Sequence, residues 1–127
     1  MIRTINDFKP FVPSNDYAIS KAFYEHMGFT INWSSDEACE IDTNFGYRFF
    51  LLPQNHNNYA HSLMLHFMVN SAQAWYDHFV DVRLAETFEG TKVAAPELMP
   101  WGLLLTYVWD PAGVLLHFAE RPGEQAG

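Results

Sequence analysis

The chain has little cationic character, one cysteine and no long apolar run, and each scarcity excludes something. Lys and Arg total 7 against 15 Asp and Glu over 127 residues, a formal charge of −8. A nucleic-acid backbone binder needs the opposite balance, whereas a cationic small molecule suits this field. The lone Cys39 rules out an internal disulfide framework and any cysteine-based zinc cluster, and a reducing compartment is the simplest setting. No stretch approaches the roughly 20 apolar residues of a membrane span, and the opening residues lack a basic segment followed by a long apolar run. A cytoplasmic protein, associated with neither membrane nor nucleic acid, is the expectation. Also missing are a glycine-rich phosphate loop, a nucleophile elbow and a His-Glu-x-x-His pattern. Cys39 stands beside Glu37 and Glu40, which disfavour a thiolate, and Glu97, Asp110 and Glu120 are isolated carboxylates. No residue is assigned a catalytic role.

What the chain has in excess is rings. Eleven Phe, six Tyr and four Trp make 17% of it, more than one core of this size ordinarily needs, so some should line a pocket. The length fits one domain with a single core.

That domain repeats itself. Ala22-Phe23-Tyr24-Glu25-His26 returns as Ala74-Trp75-Tyr76-Asp77-His78, at an offset of 74 − 22 = 52. This register sets Phe11-Val12-Pro13 against Leu63-Met64-Leu65. Near the ends of the halves, the strand after Gly46 resembles the strand after Gly113, at an offset of 113 − 46 = 67. The second half thus carries about 15 extra residues (67 − 52), which are placed in Thr87 to Pro100. In the first half, Asp16 or Ser14 caps a helix over about Tyr17 to Met27, which Gly28 stops. Strands follow at Phe29 to Trp33, Ala38 to Asp42 and Tyr47 to Leu52. In the second half a strand over Leu63 to Val69 leads to a helix capped by Ser71 and running to about Arg83. Strands over Gly102 to Trp109 and Val114 to Ala119 close it, around the turn Asp110-Pro111-Ala112-Gly113. Each half reads as a βαβββ unit: module one is about 6–54, a polar linker about 55–61, and module two about 62–121.

Three segments carry a family resemblance. They are Pro10 to Asp16 with Phe23-Tyr24 and Gly28-Phe29; Ala95-Pro96-Glu97-Leu98 with Pro100-Trp101-Gly102; and Asp110 to Gly113 with Leu116-His117-Phe118. In this order the chain resembles the vicinal oxygen chelate (glyoxalase/bleomycin resistance protein/dioxygenase) superfamily, and within it the bleomycin resistance proteins, over roughly Phe8 to Glu120. The resemblance implies an α+β fold in which two βαβββ modules form a cup-shaped mixed sheet. It also implies a homodimer with ligand grooves between subunits, in some members with the N-terminal strand exchanged.

Superfamily enzymes hold a divalent ion with donors from the first and last strands of each module. By motif spacing those positions fall here at Lys9, Phe50, Met64 and His117, of which only His117 is a ligand type. His66 shares the face of Met64, so His66 and His117 are the two candidate donors, and a metal needs three or four. Neither a metal nor another cofactor is assigned.

The expected function is therefore non-catalytic binding and sequestration of a small aromatic or cationic compound, as in bleomycin resistance proteins. The candidate ligand-binding residues are Trp33, Phe49, Met64, His66, Met68, Trp101 and His117. Asp36, Glu37, Glu89 and Glu97 are candidates for attracting a cation to the rim. His66 and Met68 replace rings carried by some of the resembling resistance proteins, which puts bleomycin itself in doubt as the ligand. The alternative is a metal-dependent glyoxalase- or dioxygenase-type enzyme, and a third reading is a stand-alone ligand sensor.

Overall fold

In the computed structural model, which describes residues 1–123, the chain forms two four-stranded mixed sheets. The first half contributes β1 (Phe11–Val12), α1 (Tyr17–Met27), β2 (Thr30–Ser34), β3 (Cys39–Asp42) and β4 (Arg48–Leu51). The second contributes β5 (Met64–Met68), α2 (Ala72–Asp81), α3 (Leu84–Thr87), β6 (Lys92–Leu98), β7 (Leu104–Trp109) and β8 (Leu115–Glu120). The strand orders are β1-β4-β3-β2 and β5-β8-β7-β6, the same arrangement twice, each with its first strand parallel to its last. The fold is α+β, built from two βαβββ units.

The helices begin and end where local chemistry dictates. The Asp16 carboxylate accepts the Ile19 backbone N–H, and the Ser71 hydroxyl accepts that of Ala74. Gly28, at φ 113°, supplies the left-handed residue that closes α1. These caps also fix the register between the halves. Asp16 and Ser71 lie 71 − 16 = 55 apart, and so do Phe11 and His66 (66 − 11), which hold matching places opposite Phe50 and His117. The helical motif at offset 52 is thus three residues out of step with the strands and caps, nearly one turn. Phe23 and Tyr24 of α1 are core residues and Trp75 of α2 packs against the same core although the register is displaced. The pairing of Phe11-Val12-Pro13 with Leu63-Met64-Leu65 is corrected accordingly.

The extra residues of the second half are also placed differently from expectation. Thr87 to Pro100 is not simply an insertion, because Lys92–Leu98 is a strand, the counterpart of β2. Between equivalent strand starts the offset has already grown to 92 − 30 = 62, so much of the surplus lies before β6, around α3. The linker also has structure: His56–Ser62 forms a short 3₁₀ segment, with Asn57 and Asn58 at positive φ. His61 at its end lies over Gly113, where an added Cβ would come within 2.9 Å of the imidazole.

One apolar core serves both halves. Val12, Phe23, Ile41 and Leu51 from the first sheet side join Phe79, Val108, Leu116 and Phe118 from the second. Two polar devices cross between the halves. His26 Nε2 donates to the Val82 carbonyl at 2.5 Å, and His78 Nε2 donates to that of Met27 at 2.6 Å, so each helix ties off the other's C-terminal end. The repeated histidines share this structural role.

The second device is buried. The Tyr24 hydroxyl donates to Asp110 Oδ2 at 2.7 Å, while Asp110 Oδ1 accepts the backbone N–H groups of Ala112 and Val114 at 2.9 Å each. Burial pushes the Asp110 carboxyl above its ordinary value, and these bonds pull it partway back. Asp110→Ala orphans three donors and should cost about 2–4 kcal/mol, whereas Tyr24→Phe, which leaves the backbone bonds, should cost about 1–2 kcal/mol. Urea denaturation of both variants checks the order.

Candidate functional site

Alternation along the strands separates a core face from an open face in each sheet. In the second sheet, Leu65, Phe67, Leu116, Phe118, Val108 and Val93 belong to or pack against the core. The opposite face therefore carries two adjacent rows read across β5, β8, β7 and β6. One is Met64–Leu115–Trp109–Lys92, and the other is His66–His117–Tyr107–Ala94. In the first sheet, Val12, Leu51, Phe49 and Ile41 face the core. The row on its open face is Phe11–Phe50–Glu40–Trp33. Phe50 touches Phe11 at a ring separation of 5.1 Å and Trp33 at 5.7 Å.

The expected ligand-binding residues are distributed as follows. Met64, His66, Met68 and His117 lie on or beside the open face of the second sheet, and Trp33 lies on that of the first. Phe49 points into the core, edge-on to Tyr24 at 5.3 Å, and Phe50 is the ring its strand presents outward. Trp101 lies in the β6–β7 turn and is 65% exposed.

Between the halves opens a cleft of about 1020 Å³. Its walls include Phe8, Tyr47, Phe67, Trp75 and Phe118, with His66 and Met68 at one side and Asp7 and Arg48 at another. Phe49 contributes to it, whereas Trp33, Met64, Trp101 and His117 do not. Sequence reasoning missed Phe45 and Tyr47 here, 69% and 75% exposed in the β3–β4 turn. Two rings in a turn next to Gly46 were the available signal.

The two histidines touch. His66 Nδ1 lies 3.4 Å from His117 Nδ1, and His66 Nε2 lies 3.1 Å from Met68 Sδ. With both rings neutral, His66 can donate through Nε2 to the thioether and accept His117 Nδ1–H. A proton added at the shared contact sets two N–H groups against each other. Burial lowers the His117 pKa below its ordinary value, and the neighbouring His66 lowers it further. Tyr107, edge-on to His117 at 5.0 Å, has its hydroxyl pushed up by burial and by Glu97.

This pair is also the test of the donor set that the resembling enzymes use. The matching positions in the first sheet are Phe11 and Phe50, which have no donor atoms. Among the described residues no group of three or more His, Cys, Asp or Glu side chains could hold a metal ion. Two imidazoles from one chain do not fit a divalent ion that requires three or four donors. Cys39 is buried and its thiol is pushed up chiefly by that burial, the condition of an inert cysteine. Among the described residues no helix is long and apolar enough to cross a membrane.

The lowered His117 pKa carries a definite sign. A histidine that is harder to protonate folded than unfolded contributes stability that is fully present above its unfolded value, about 6.5, and is lost as pH falls from there through the lower folded value. Denaturation midpoints should therefore fall from about pH 6.5 downward. His66→Ala should move the His117 titration upward, as followed by NMR.

No family model matches the chain, and no curated protein matches it by sequence. Solved structures do match. A bleomycin-binding protein complexed with bleomycin is 24% identical, over 91% of this chain and 98% of that one, with a TM-score of 0.76. The bleomycin-binding protein from bleomycin-producing Streptomyces verticillus, complexed with copper(II)-bleomycin, is 17% identical over 94% and 98%, with a TM-score of 0.74. A glyoxalase/bleomycin resistance protein/dioxygenase from Nocardioides is 14% identical over 99% and 91%, with a TM-score of 0.71. The repeated βαβββ topology and these full-length likenesses show that the chain has the fold of the vicinal oxygen chelate superfamily, the fold shared by the bleomycin-binding proteins.

Proposed function

We propose that the protein binds and sequesters a small aromatic or cationic compound without turning it over, in the manner of a bleomycin resistance protein. The observation that carries this reading is the pair of ring-bearing open faces. Phe11, Trp33, Met64 and Met68 remain 57%, 47%, 56% and 49% exposed, although they sit on strands whose other faces form the core. Apolar area of this kind marks a binding surface. A flat ligand stacked on such rings gains roughly 0.5–1.5 kcal/mol per ring pair beyond area burial, and a cation adds a comparable amount. The net charge of −8 favours the approach of a cation. The bleomycin-binding proteins that share the fold support a small-molecule role.

A single chain turns its two open faces to solvent, so a second copy is assigned to bring one against the other. We therefore read the protein as a homodimer with the ligand between subunits. Ile2, Ile5 and Phe8 are 93%, 84% and 83% exposed on the N-terminal arm, in keeping with an arm that packs on, or exchanges with, the partner. The cytoplasm is the compartment assigned, in line with the buried free thiol of Cys39.

The adjacent imidazoles of His66 and His117 favour one second reading, a metal-dependent enzyme of the glyoxalase or dioxygenase type. In that case the remaining donors must come from a partner chain. Elemental analysis of the purified protein separates the two: near-stoichiometric Zn, Ni, Mn or Fe supports the enzyme.

The binding role is tested by titrating purified protein with planar aromatic cations in a calorimeter and recovering the compound afterwards. Saturable binding with the compound unchanged is expected, and catalytic consumption refutes the reading. Phe50→Ala and Trp33→Ala should each weaken binding about tenfold, corresponding to about 1.4 kcal/mol, with the fold intact by circular dichroism. Trp101→Ala should also weaken it, and an unchanged affinity places that turn outside the groove. Sedimentation should give twice the 14.7 kDa chain mass.

A further inference from the structure

The open face of the first sheet already holds a positive charge. Lys9 Nζ lies 5.5 Å from the centroid of the Phe50 ring and 3.5 Å from Glu40 Oε1, and it contacts the Asp7 carboxylate. The Lys9 and Glu40 side chains are only 16% and 13% exposed. Glu40 occupies the place between Phe50 and Trp33 in the ring row and is held there by Asn32, whose amide donates to Glu40 Oε2 at 2.9 Å and to Asp42 Oδ2 at 3.1 Å. A carboxylate fixed among ring faces, with an ammonium above one of them, has the chemistry of a seat for an organic cation.

We infer that Glu40, Phe50 and Trp33 form a cation subsite that Lys9 fills in the free chain, and that a flat cationic ligand enters by displacing the Lys9 ammonium. This deepens the binding role proposed above and rests on it. Three features support displacement. First, Lys9 belongs to the N-terminal arm, and the adjacent Pro10 carbonyl accepts the Phe50 backbone N–H at 2.9 Å, so the backbone stays anchored while the side chain leaves. Second, the four-carbon stem lets the ammonium swing into water without moving the sheet, and the Asp7 carboxylate keeps a cationic partner in Arg48, 3.9 Å away, when the ammonium leaves. Third, a flat cation can place its charge at Glu40 while its ring covers Phe50 or Trp33, an area the narrow lysine stem does not fill. A neutral aromatic gains the stacking but leaves Lys9 paired with Glu40. Lys9 is thus a specificity-determining residue, since it makes each cation compete with a resident one.

The test uses N-methylquinolinium as a planar cation and quinoline as its neutral counterpart, titrated calorimetrically at pH 7.5 into the wild-type protein, Lys9→Met and the double variant Lys9→Met/Glu40→Gln. Lys9→Met keeps an apolar stem and removes the competitor. It should bind N-methylquinolinium about tenfold more tightly than wild type and quinoline equally well, and Glu40→Gln should abolish that gain. Equal affinity of wild type and Lys9→Met for the cation overturns the inference and leaves the binding role standing. So does a gain that persists in the double variant, or an equal gain for quinoline. Failure of all three proteins to bind either probe overturns both. As a second readout, the Lys9 side-chain NMR signals should shift when N-methylquinolinium binds and stay in place with quinoline, and static signals during saturable cation binding also overturn displacement.

Discussion

The hydrogen bond between Tyr24 and Asp110 is the constraint on which the two-module arrangement depends. Tyr24 belongs to the helix of the first module and Asp110 to the closing turn of the second, and neither side chain reaches water. A buried carboxylate is costly unless its oxygens are satisfied, and here one oxygen serves the other module while the second organises its own turn. The turn cannot form well without the carboxylate, and the carboxylate cannot be buried well without Tyr24. Closing of the last hairpin is thereby coupled to docking of the first helix. The reciprocal histidines do a related job at the helix ends, where unpaired carbonyls would otherwise face the neighbouring module. Because these bonds and the shared core hold the modules from the inside, the opposite faces of both sheets are released from structural duty.

Much of the fold was legible in the sequence, and the reasons are local. The first helix runs over Tyr17–Met27 as expected, since Asp16 and Gly28 bracket an apolar pattern whose chemistry permits little else. The repeat disclosed the duplicated topology even though its motif is about one turn out of register, because ring positions on a helix tolerate such a slip. β6 was hidden because Ala-Ala-Pro-Glu has little strand character. Its identity as a strand comes from pairing with β7, a long-range contact that no local pattern records. Asp110 announced itself as a turn former, whereas the Tyr24 partner 86 residues away did not.

The candidate site was less legible, because side-chain facing depends on phase. In the run Phe49-Phe50-Leu51-Leu52 every residue is apolar, so alternation cannot be phased from composition, and the outward ring proves to be Phe50. Trp33 illustrates a second obstacle. Strict alternation after Ile31, which packs against the core, would also send Trp33 inward. A register shift between Ile31 and Trp33 instead sets Trp33 opposite Glu40 on the open face. A matching irregularity between Ala94 and Glu97 lies in the corresponding strand of the second sheet. Both bulges occur on strands at a sheet edge, where one extra residue is accommodated most easily, and both alter which side chains the open faces present.

The duplication explains why the two faces are not chemically equal. Phe11 and Phe50 occupy the register positions that His66 and His117 occupy in the other sheet, so one wall offers carbocyclic rings around a carboxylate and the other offers imidazoles and thioethers. Two identical walls would bind a symmetric ligand in either sense. In the proposed site, two different ones favour a ligand with distinct ends, its cationic part toward Glu40 and a hydrogen-bond donor toward Nε2 of His117, the acceptor left when that ring donates through Nδ1. Acidification acts on the second wall through His117. Protonating His117, which burial and the neighbouring His66 hold back, adds positive charge to that wall. The pseudo-symmetry that builds the fold thus sets two chemically different faces at equivalent places in it.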